Sequence, residues 1–488
     1  MDVARQRNAG GWSSSAQASH RWRFRAAAIG LSLSGCAFAD AAEAEPEPCP
    51  RTQFLNLRYE EDWRFLADPR CRRDAWDPIK HIDLDGGRSA SLGGEARIRY
   101  ERFDNPGWGA DPEDLSGYLL QRYLLHGDLR LSPRVRLFGQ LESSRENGRV
   151  NGPRETDEDR LDVNQFFADW TPVQEGADRV TLRLGRQEVE IGSSQFTSAR
   201  NGLNDRLSFD GIRAFGEVKD WRFHAMTTRV VQTRRGVFDD SPDRQDTLSG
   251  FFIARSHDLV PGADSHAVVY VNRRTDATTR YQDGSLREER MSIGTRWWGR
   301  SEHWDYNYEL GAQRGDFGPG SIRAWYLSTD TGYRLDRVSR PRLGLRFNVG
   351  SGDRKRGDGE LNTFSPMFAA TAYSGLAGLV GPSNSIGAAP SVSFEVDESK
   401  VLSFGMIGFW RQSAEDGVYN IFTEVQRRAA GSRARHVGNQ YTVQFVWQIT
   451  PHASWLTTIS YFTAGRFLRE TPPGENVTYL TTWWAYRF

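Results

Sequence analysis

Apolar and polar residues alternate with a period of two through most of this chain. In the segment 92–102, for example, Leu92 and Ile98 alternate with Arg97 and Arg99. Successive side chains of a β-strand point to opposite faces, whereas a helix would spread these charges around its circumference. The pattern therefore predicts strands that each have one apolar face and one polar face.

About eighteen such segments follow one another, and their lengths suit membrane-crossing strands of about ten residues. They lie at 92–102, 118–131, 135–143, 163–171, 179–190, 209–218, 221–230, 247–257, 265–273, 289–298, 303–314, 322–335, 341–350, 390–397, 401–411, 437–449, 454–465 and 476–488. We expect an all-β fold, namely a transmembrane antiparallel up-and-down β-barrel of about 18 strands.

The connections and the end of the chain support an outer-membrane location. Short connections such as 132–134 and 219–220 alternate with long polar ones such as 144–162 and 231–246. Outer-membrane barrels alternate short periplasmic turns with long external loops in this way. The final alternating segment ends in the aromatic residue Phe488, which is typical of outer-membrane proteins.

Composition excludes two other classes of protein. Mean hydropathy is −0.63 and only 38% of residues are apolar, and no run of 18 apolar residues occurs after residue 40. Membrane-spanning helices are therefore not expected. The chain carries 63 basic and 63 acidic residues, so a generally basic, nucleic-acid-binding protein is not expected either.

The first residues have the features of an export signal. Three arginines precede an apolar run that ends in small residues, so we expect a signal peptide at 1–39. Residues 40–90 would form a periplasmic segment and residues 91–488 the transmembrane barrel. In a competing interpretation, a lipoprotein processing site leaves a lipidated Cys36.

Two cysteines remain after removal of the signal, Cys49 and Cys71. An even pair in an oxidising compartment predicts a disulfide that closes the short loop between them. Two unpaired thiols are the alternative. Neither the spacing nor neighbouring histidines indicate a metal site.

The polar face of the strands would line a water-filled, arginine-rich lumen. The expected pore-lining, substrate-binding residues are Arg97, Arg99, Arg122, Arg130, Arg136, Arg183, Arg213, Arg222, Arg296, Arg346 and Arg411, with counter-charges Glu95, Asp128, Glu142, Asp169, Glu217, Asp305 and Glu309. Guanidinium groups bind carboxylates with paired hydrogen bonds, so these arginines favour an anion-selective channel. Alternatively, they form ion pairs that brace the wall.

No catalytic motif occurs in a suitable context, so we expect no catalytic residues, no cofactor and no metal. An outer-membrane enzyme remains a distant alternative. The acidic stretches Glu155–Asp159 and Asp239–Asp246 could bind a divalent cation at the lipopolysaccharide surface. We interpret them instead as solvated loops.

Several short blocks resemble one known family. They are Leu57 to Trp63, Asp77 to Lys80, Ser91 to Glu95, Leu184 to Glu188 with Gly192, Arg200-Asn201, Arg206, Ser208 to Arg213, Gly350 to Asp353, Leu361 to Phe364, Tyr373 and Asn384. In combination these blocks resemble the alginate-export porins, from about residue 55 to the end. The resemblance implies an eighteen-stranded barrel through which an anionic polyuronate leaves the cell past a positively charged constriction.

One loop and the cysteine pair depart from that family. The segment 351–389 contains the stretch Met367–Val380, which is too apolar for a freely exposed loop. We expect it to fold into the lumen or to pack at the mouth as a constriction. The alternative is a loop that lies on the outer leaflet.

Two transport functions follow from these observations. The first is passive export of an anionic polysaccharide such as alginate; the second is uptake of small anionic or aromatic-acid solutes on the same scaffold. The segment 40–90 is too short for the full plug domain of a TonB-dependent receptor. Expected partners are the lipid bilayer, lipopolysaccharide, the solute and periplasmic export proteins, and we expect a monomer.

Overall fold

A closed antiparallel barrel of eighteen strands makes up most of the chain, which confirms the predicted fold. The structure is a computed structural model that describes Cys49 and residues 54–114, 116–194, 197–257, 264–276, 280–370 and 375–488. The predicted signal peptide at 1–39, including Cys36, therefore lies outside the described residues.

The barrel strands are β1 (Ser89–Asp104), β2 (Tyr118–Ser132), β3 (Val135–Asn147), β4 (Asp159–Glu175), β5 (Asp178–Gln187), β6 (Phe209–Val218), β7 (Trp221–Gln232), β8 (Ser241–His257), β9 (Asp264–Asp276), β10 (Glu288–Arg300), β11 (Trp304–Phe317), β12 (Gly320–Arg334), β13 (Arg342–Gly350), β14 (Ser385–Asp397), β15 (Lys400–Arg411), β16 (His436–Gln448), β17 (Ala453–Ala464) and β18 (Val477–Arg487). Each strand pairs with its neighbours along the chain, and β1 pairs with β18 to close the sheet.

Every predicted segment overlaps one of these strands, and 209–218 has the bounds of β6. Several strands extend beyond the predicted segments at the end away from the short turns. There β8 begins at Ser241 instead of residue 247, and β14 begins at Ser385 instead of residue 390. Beyond the apolar band the strands continue as hydrogen-bonded pairs in water. There both faces can be polar, so the sequence shows no alternation that would indicate a strand.

The alternating apolar residues face outward. Leu125, Phe166, Leu184 and Ile212 are more than half exposed, whereas the neighbouring arginine Arg183 is buried. In a bilayer these exposed side chains meet lipid. Tryptophans at strand ends, among them Trp170, Trp221 and Trp304, are exposed near the short turns, where an aromatic girdle is expected.

One connection breaks the expected alternation of loop lengths. The link between β11 and β12 lies on the long-loop side but consists only of Gly318 and Pro319. Gly318 has a φ of +55°, which a glycine adopts without steric cost and which permits so tight a turn. Strict alternation of short and long connections was therefore wrong at this position.

The remaining elements are short. They are 3₁₀ turns at Arg58–Glu60, Arg64–Ala67 and Pro69–Cys71, helices at Asp77–Lys80, Pro106–Gly109 and Arg466–Glu470, and two- or three-residue strands at Ile82–Asp83, Arg280–Tyr281, Gly284–Ser285, Glu360–Leu361, Val418–Tyr419 and Val425–Arg427. None of the described helices has the length and apolar character needed to cross a membrane.

A buried charge cluster joins the first, second and last strands at the seam. Glu95 on β1 accepts from Arg122 Nη2 on β2 at 2.6 Å and from Arg487 Nε on β18 at 2.8 Å. Beside it, Gly94 and Phe488 exchange two main-chain hydrogen bonds. A single carboxylate therefore neutralises guanidinium groups from both sides of the seam.

We expect Glu95→Gln to destabilise the barrel, because it leaves two arginines facing a neutral group. Breaking a buried ion pair on one side costs about 3–5 kcal/mol. In detergent gels the folded barrel runs as a separate band. The temperature at which this band converts to that of the unfolded chain should fall. Asp104→Asn is the matched control, since its pair with Arg102 is exposed. Equal midpoints for Glu95→Gln and the unmodified chain would contradict a role for this carboxylate in the seam.

A small N-terminal unit, here called the cap, consists of Cys49 and residues 54–83. A disulfide joins Cys49 to Cys71. The two cysteines pack with Phe54, Trp63 and Leu66 in a separate hydrophobic cluster. Because so small a unit buries little apolar surface, the covalent link contributes to its stability by restricting the unfolded chain.

The cap covers the end of the last strand. The Trp76 ring stacks on Phe488, with ring centroids 4.4 Å apart. Arg58 donates from Nη2 to the Phe488 carbonyl at 3.0 Å and from Nη1 to the Gly94 carbonyl at 2.9 Å. The cap therefore contacts both strands of the seam at its short-turn end.

Lys80 is buried where the cap meets the barrel. Its Nζ lies 5.0 Å from the Trp63 ring centroid and 5.9 Å from that of Phe488. Burial lowers the pKa of Lys80 to about 7, although Glu61 opposes the shift. The folded protein therefore binds this proton much more weakly than an unfolded chain does.

The cap should become more stable as pH rises from about 7 towards 10, because an unfolded lysine keeps its proton up to about pH 10.4. Folding releases that proton within this window, so stability increases with pH. As pH rises, chymotrypsin cleavage within 54–83 should slow more in the unmodified chain than in a Lys80→Met variant, which lacks the titrating group. Lys400→Met, at a half-exposed lysine in a turn, should behave like the unmodified chain. If the Lys80→Met variant showed the same pH dependence as the unmodified chain, the assignment of this dependence to Lys80 would be wrong.

Candidate transport site: the barrel lumen

Within the part of the chain that the structure describes, which omits residues 195–196 and 371–374, three segments enter the lumen. They are residues 54–61 of the cap, the loop 188–208 between β5 and β6, and the loop 351–384 between β13 and β14. We call the two loops the first and the second luminal loop. Their contacts with the wall define the space left for a solute.

Arg206 of the first luminal loop joins that loop to the cap. Its guanidinium donates twice to Glu188, at 2.5 and 2.6 Å, and from Nη2 to the Asn56 carbonyl at 3.0 Å. It also donates to Asn201 Oδ1 at 2.6 Å. Nearby, burial raises the pKa of Glu190 to about 7. Arg206 is thus saturated by groups of the protein itself.

Wall arginines hold the first luminal loop from the other side. Arg97 Nη1 donates to the Asn201 carbonyl at 2.7 Å, and Arg122 Nη2 donates to Asn201 Oδ1 at 2.6 Å. Arg99 Nη1 donates to the Gly202 carbonyl. These three arginines are buried, and each donates at least one hydrogen bond to the loop, while Arg122 also bonds Glu95 and Arg99 also bonds Tyr479.

Tyr59 of the cap fills the neighbouring part of the lumen. Its ring meets Phe138 and Phe167 edge-on, and Arg183 lies over its face at 4.1 Å. Its hydroxyl donates to the Glu188 carbonyl at 3.0 Å. The side of the barrel formed by β1 to β6 is therefore packed with side chains; we call it the filled side.

The other predicted residues also face inward, with varied surroundings. Arg130 and Arg136 pair with Asp128, Arg183 with Asp169, Arg213 with His224, Arg222 with His266, Arg296 with Asn307, Arg411 with four main-chain carbonyls, Glu142 with Ser144 and Arg206, Asp305 with Arg342, and Glu309 with Ser193 and Tyr270, while Glu217 and Arg346 are half-buried. Many of these groups brace the wall, in line with the alternative that the sequence left open.

The second luminal loop crosses the lumen. Phe364, Met367 and Phe368 are buried in a cluster with Phe209 of β6. Further along, Leu376 packs with residues of β17 and β18. The apolar stretch Met367–Val380, of which residues 371–374 are not described, thus packs inside the barrel and does not lie on the outer leaflet.

Opposite the filled side, the inward face of β14 carries only small residues, and β13 and β15 add small residues beside it, although Arg342, Phe409 and Arg411 are bulky and buried there. We call this the small-residue wall; it consists of Gly344 on β13, Ser385, Gly387, Ala389, Ser391 and Ser393 on β14, and Ser403 and Gly405 on β15. A Cβ atom added at Gly387 or Gly405 would meet no atom closer than 3.8 Å. Space is therefore left beside this wall.

A cavity lies along the same wall, between it and the second luminal loop. Arg346 and Asn348 of β13 line it together with the aromatic rings of Tyr326, Phe364 and Phe409. The cavity is small, about 40 Å³, and its lining combines a guanidinium, which pairs with carboxylates, with aromatic rings. Of these rings, Phe364 belongs to the second luminal loop, which has no periodicity, whereas Tyr326 lies on β12 and Phe409 on β15.

The family model described as alginate export matches residues 88–481. The chain belongs to the alginate-export family. It is an outer-membrane pore of that family, and its resemblance to the family in the sequence is thereby confirmed. Among curated proteins none matches the chain.

Solved porins of low identity share the fold. OccD3 (OpdP) of Pseudomonas aeruginosa is 12% identical with a TM-score of 0.54, over 84% of this chain and 93% of that chain. OpdK of Pseudomonas aeruginosa, solved with vanillate, is 10% identical with a TM-score of 0.53, over 82% and 98%. OccK2 (OpdF) of Pseudomonas aeruginosa, in complex with glucuronate, is 10% identical with a TM-score of 0.51, over 83% and 99%.

Arg206→Ala should widen the pore of this alginate-export family member. The change frees the first luminal loop from the cap and leaves Glu188 without its buried partner, so the loop loses its fixed position. Single-channel conductance in planar bilayers should rise and become noisier. Arg160→Ala removes the same charge at an exposed pair outside the lumen and should change nothing. Unaltered conductance in Arg206→Ala would show that this loop does not limit the current.

Proposed function

We propose that this pore carries an anionic polysaccharide such as alginate out of the cell, passively and with anion selectivity. The observation that carries the proposal is the small-residue wall with Arg346 beside it. This wall lies along β13 to β15, across the lumen from the arginines that hold the first luminal loop. Membership of the alginate-export family supports a polyuronate as the solute.

The chemistry of this side suits a chain of sugar acids. Each uronate unit carries one carboxylate, which a guanidinium binds through two hydrogen bonds. Serine hydroxyls on β14 and β15 and the side chains of Gln444 and Thr458 provide neutral partners for sugar hydroxyls. Conduction needs binding that is strong enough to admit a solute and weak enough to release it. Arg346 is the charged residue that lines the cavity on this side, and binding through this one guanidinium would meet both needs.

Uptake of small acids is the second candidate function. It is favoured by the three segments that enter the lumen, since they leave a narrow path for a polymer. Solved porins of the same fold hold glucuronate and vanillate, both of which are small carboxylic acids. The same arginine would serve either solute.

We further propose that the pore works as a monomer, without cofactor or catalysis. Transport is then downhill, or is driven by periplasmic export proteins that deliver the polymer. The cap, at the short-turn end, is the surface that such proteins would meet first.

Arg346→Gln tests the proposed path. Losing a charge-assisted hydrogen bond costs about 1.5–3 kcal/mol, which corresponds to glucuronate binding weakened about tenfold or more. In planar bilayers under a salt gradient, the reversal potential should shift away from anion preference, and block by added glucuronate should weaken. Arg130→Gln removes an arginine on the filled side and should retain both properties. An Arg130→Gln variant affected as strongly as Arg346→Gln would contradict a path along the small-residue wall.

Liposome flux separates the two candidate functions. Export of a polymer predicts that uronate oligomers pass through reconstituted pores, and that Arg346→Gln slows them. Passage of glucuronate with exclusion of all oligomers would instead support uptake of small acids.

A further inference from the structure

We infer that the outer rim of the barrel holds a divalent cation, Ca²⁺, between the start of β4 and the loop 233–240. Its ligands are the carboxylates of Asp162, Asp239 and Asp240; together with their buried acidic neighbour Asp159 we call them the carboxylate cluster. The site is separate from the proposed solute path and does not depend on which solute is carried.

Geometry brings three of these carboxylates together. Oxygen atoms of Asp162, Asp239 and Asp240 all lie within 4.8 Å of one another. The loop is fixed beside β4 by main-chain contacts, because Phe238 N donates to the Leu161 carbonyl at 2.9 Å. Asp240 N also donates to Asp162 Oδ2 at 3.0 Å. The carboxylates are thus held together by the fold and cannot separate freely to reduce their repulsion.

A buried, unsatisfied oxygen points to a missing partner. Asp159 is only 2% exposed, and within the described part of the chain its Oδ1 has no hydrogen-bond partner. The strongest charged neighbours of this carboxylate are Asp240, Glu142, Asp162 and Asp239, all of them acidic. A buried carboxylate oxygen without a donor costs free energy unless a cation or a proton satisfies it.

Nearby positive charge does not balance the cluster. Arg186 lies 3.5 Å from Asp162 but forms its closer pair, at 3.0 Å, with Asp210. The excess of negative charge therefore remains after the arginine is counted.

The donor set selects the ion. Three carboxylates close together, with no nitrogen or sulfur ligand among them, suit a hard cation. Ca²⁺ accepts six to eight oxygen ligands in flexible geometry, whereas Mg²⁺ demands a near-ideal octahedron. Carboxylates from a strand and from a loop, with room for water, fit Ca²⁺ better.

The cation would also support the first luminal loop. Asp205 of that loop accepts from Thr233 Oγ1 at 2.8 Å, and its main-chain nitrogen donates to the Thr156 carbonyl at 3.1 Å. Burial and the nearby acidic groups raise the pKa of Asp205 well above its ordinary value. A cation in the carboxylate cluster would therefore lie beside the contacts that anchor this loop to the rim.

The test compares thermal stability in CaCl₂ and in a chelator. The full chain is purified in detergent free of lipopolysaccharide, which would itself bind Ca²⁺. Millimolar CaCl₂ should raise the melting temperature of the unmodified protein, and calorimetry should give one ion per chain. Asp239→Asn/Asp240→Asn should bind Ca²⁺ at least about tenfold more weakly. In the chelator this variant should be more stable than the unmodified chain, because repulsion is removed.

Asp243→Asn is the matched control, since Asp243 lies in the same acidic stretch but outside the cluster. It should respond to CaCl₂ like the unmodified chain, and the single variant Asp239→Asn should already lose most of the response. The inference is overturned if CaCl₂ leaves the melting temperature of the unmodified chain unchanged, or if the double variant keeps the full shift. An equal response to MgCl₂ would overturn the assignment to Ca²⁺.

Discussion

Closure of the hydrogen-bond ladder between β1 and β18 is the constraint on which the rest of the structure depends. No water satisfies backbone groups in the hydrocarbon core, so an open edge there is excluded and the sheet must close. In this protein the closing register is reinforced twice. Glu95 neutralises arginines from both sides of the seam, and the cap binds the carbonyls of Gly94 and Phe488.

Once the barrel is closed, the size of the inward side chains decides what the lumen can do. On the filled side, Arg97, Arg122 and Arg183 contact the first luminal loop or the cap. These arginines give that side rigidity. On β13 to β15 small residues leave space, and Arg346 stands beside it. The same residue type thus has different uses on the two sides, and the difference comes from its neighbours.

The sequence predicted the barrel well, because a strand with one apolar face and one polar face has alternating apolar and polar residues. That alternation predicted an inward position for both Arg97 and Arg346. It could not tell them apart, since the difference lies in the luminal loops, which have no periodicity. Arg206, Glu188 and Tyr59 were missed as site residues for this reason. The blocks around Leu57 to Trp63 and at Arg206 belonged to the family resemblance and were the available signal.

The most direct test of the central claim is cysteine accessibility on the two sides of the lumen. Ser391→Cys lies on the small-residue wall, and Gln140→Cys lies on the filled side, where Gln140 is buried. A negatively charged thiol reagent added during single-channel recording should reduce the current through Ser391→Cys and leave Gln140→Cys unchanged. Block of Gln140→Cys, with no effect on Ser391→Cys, would contradict a solute path along the small-residue wall.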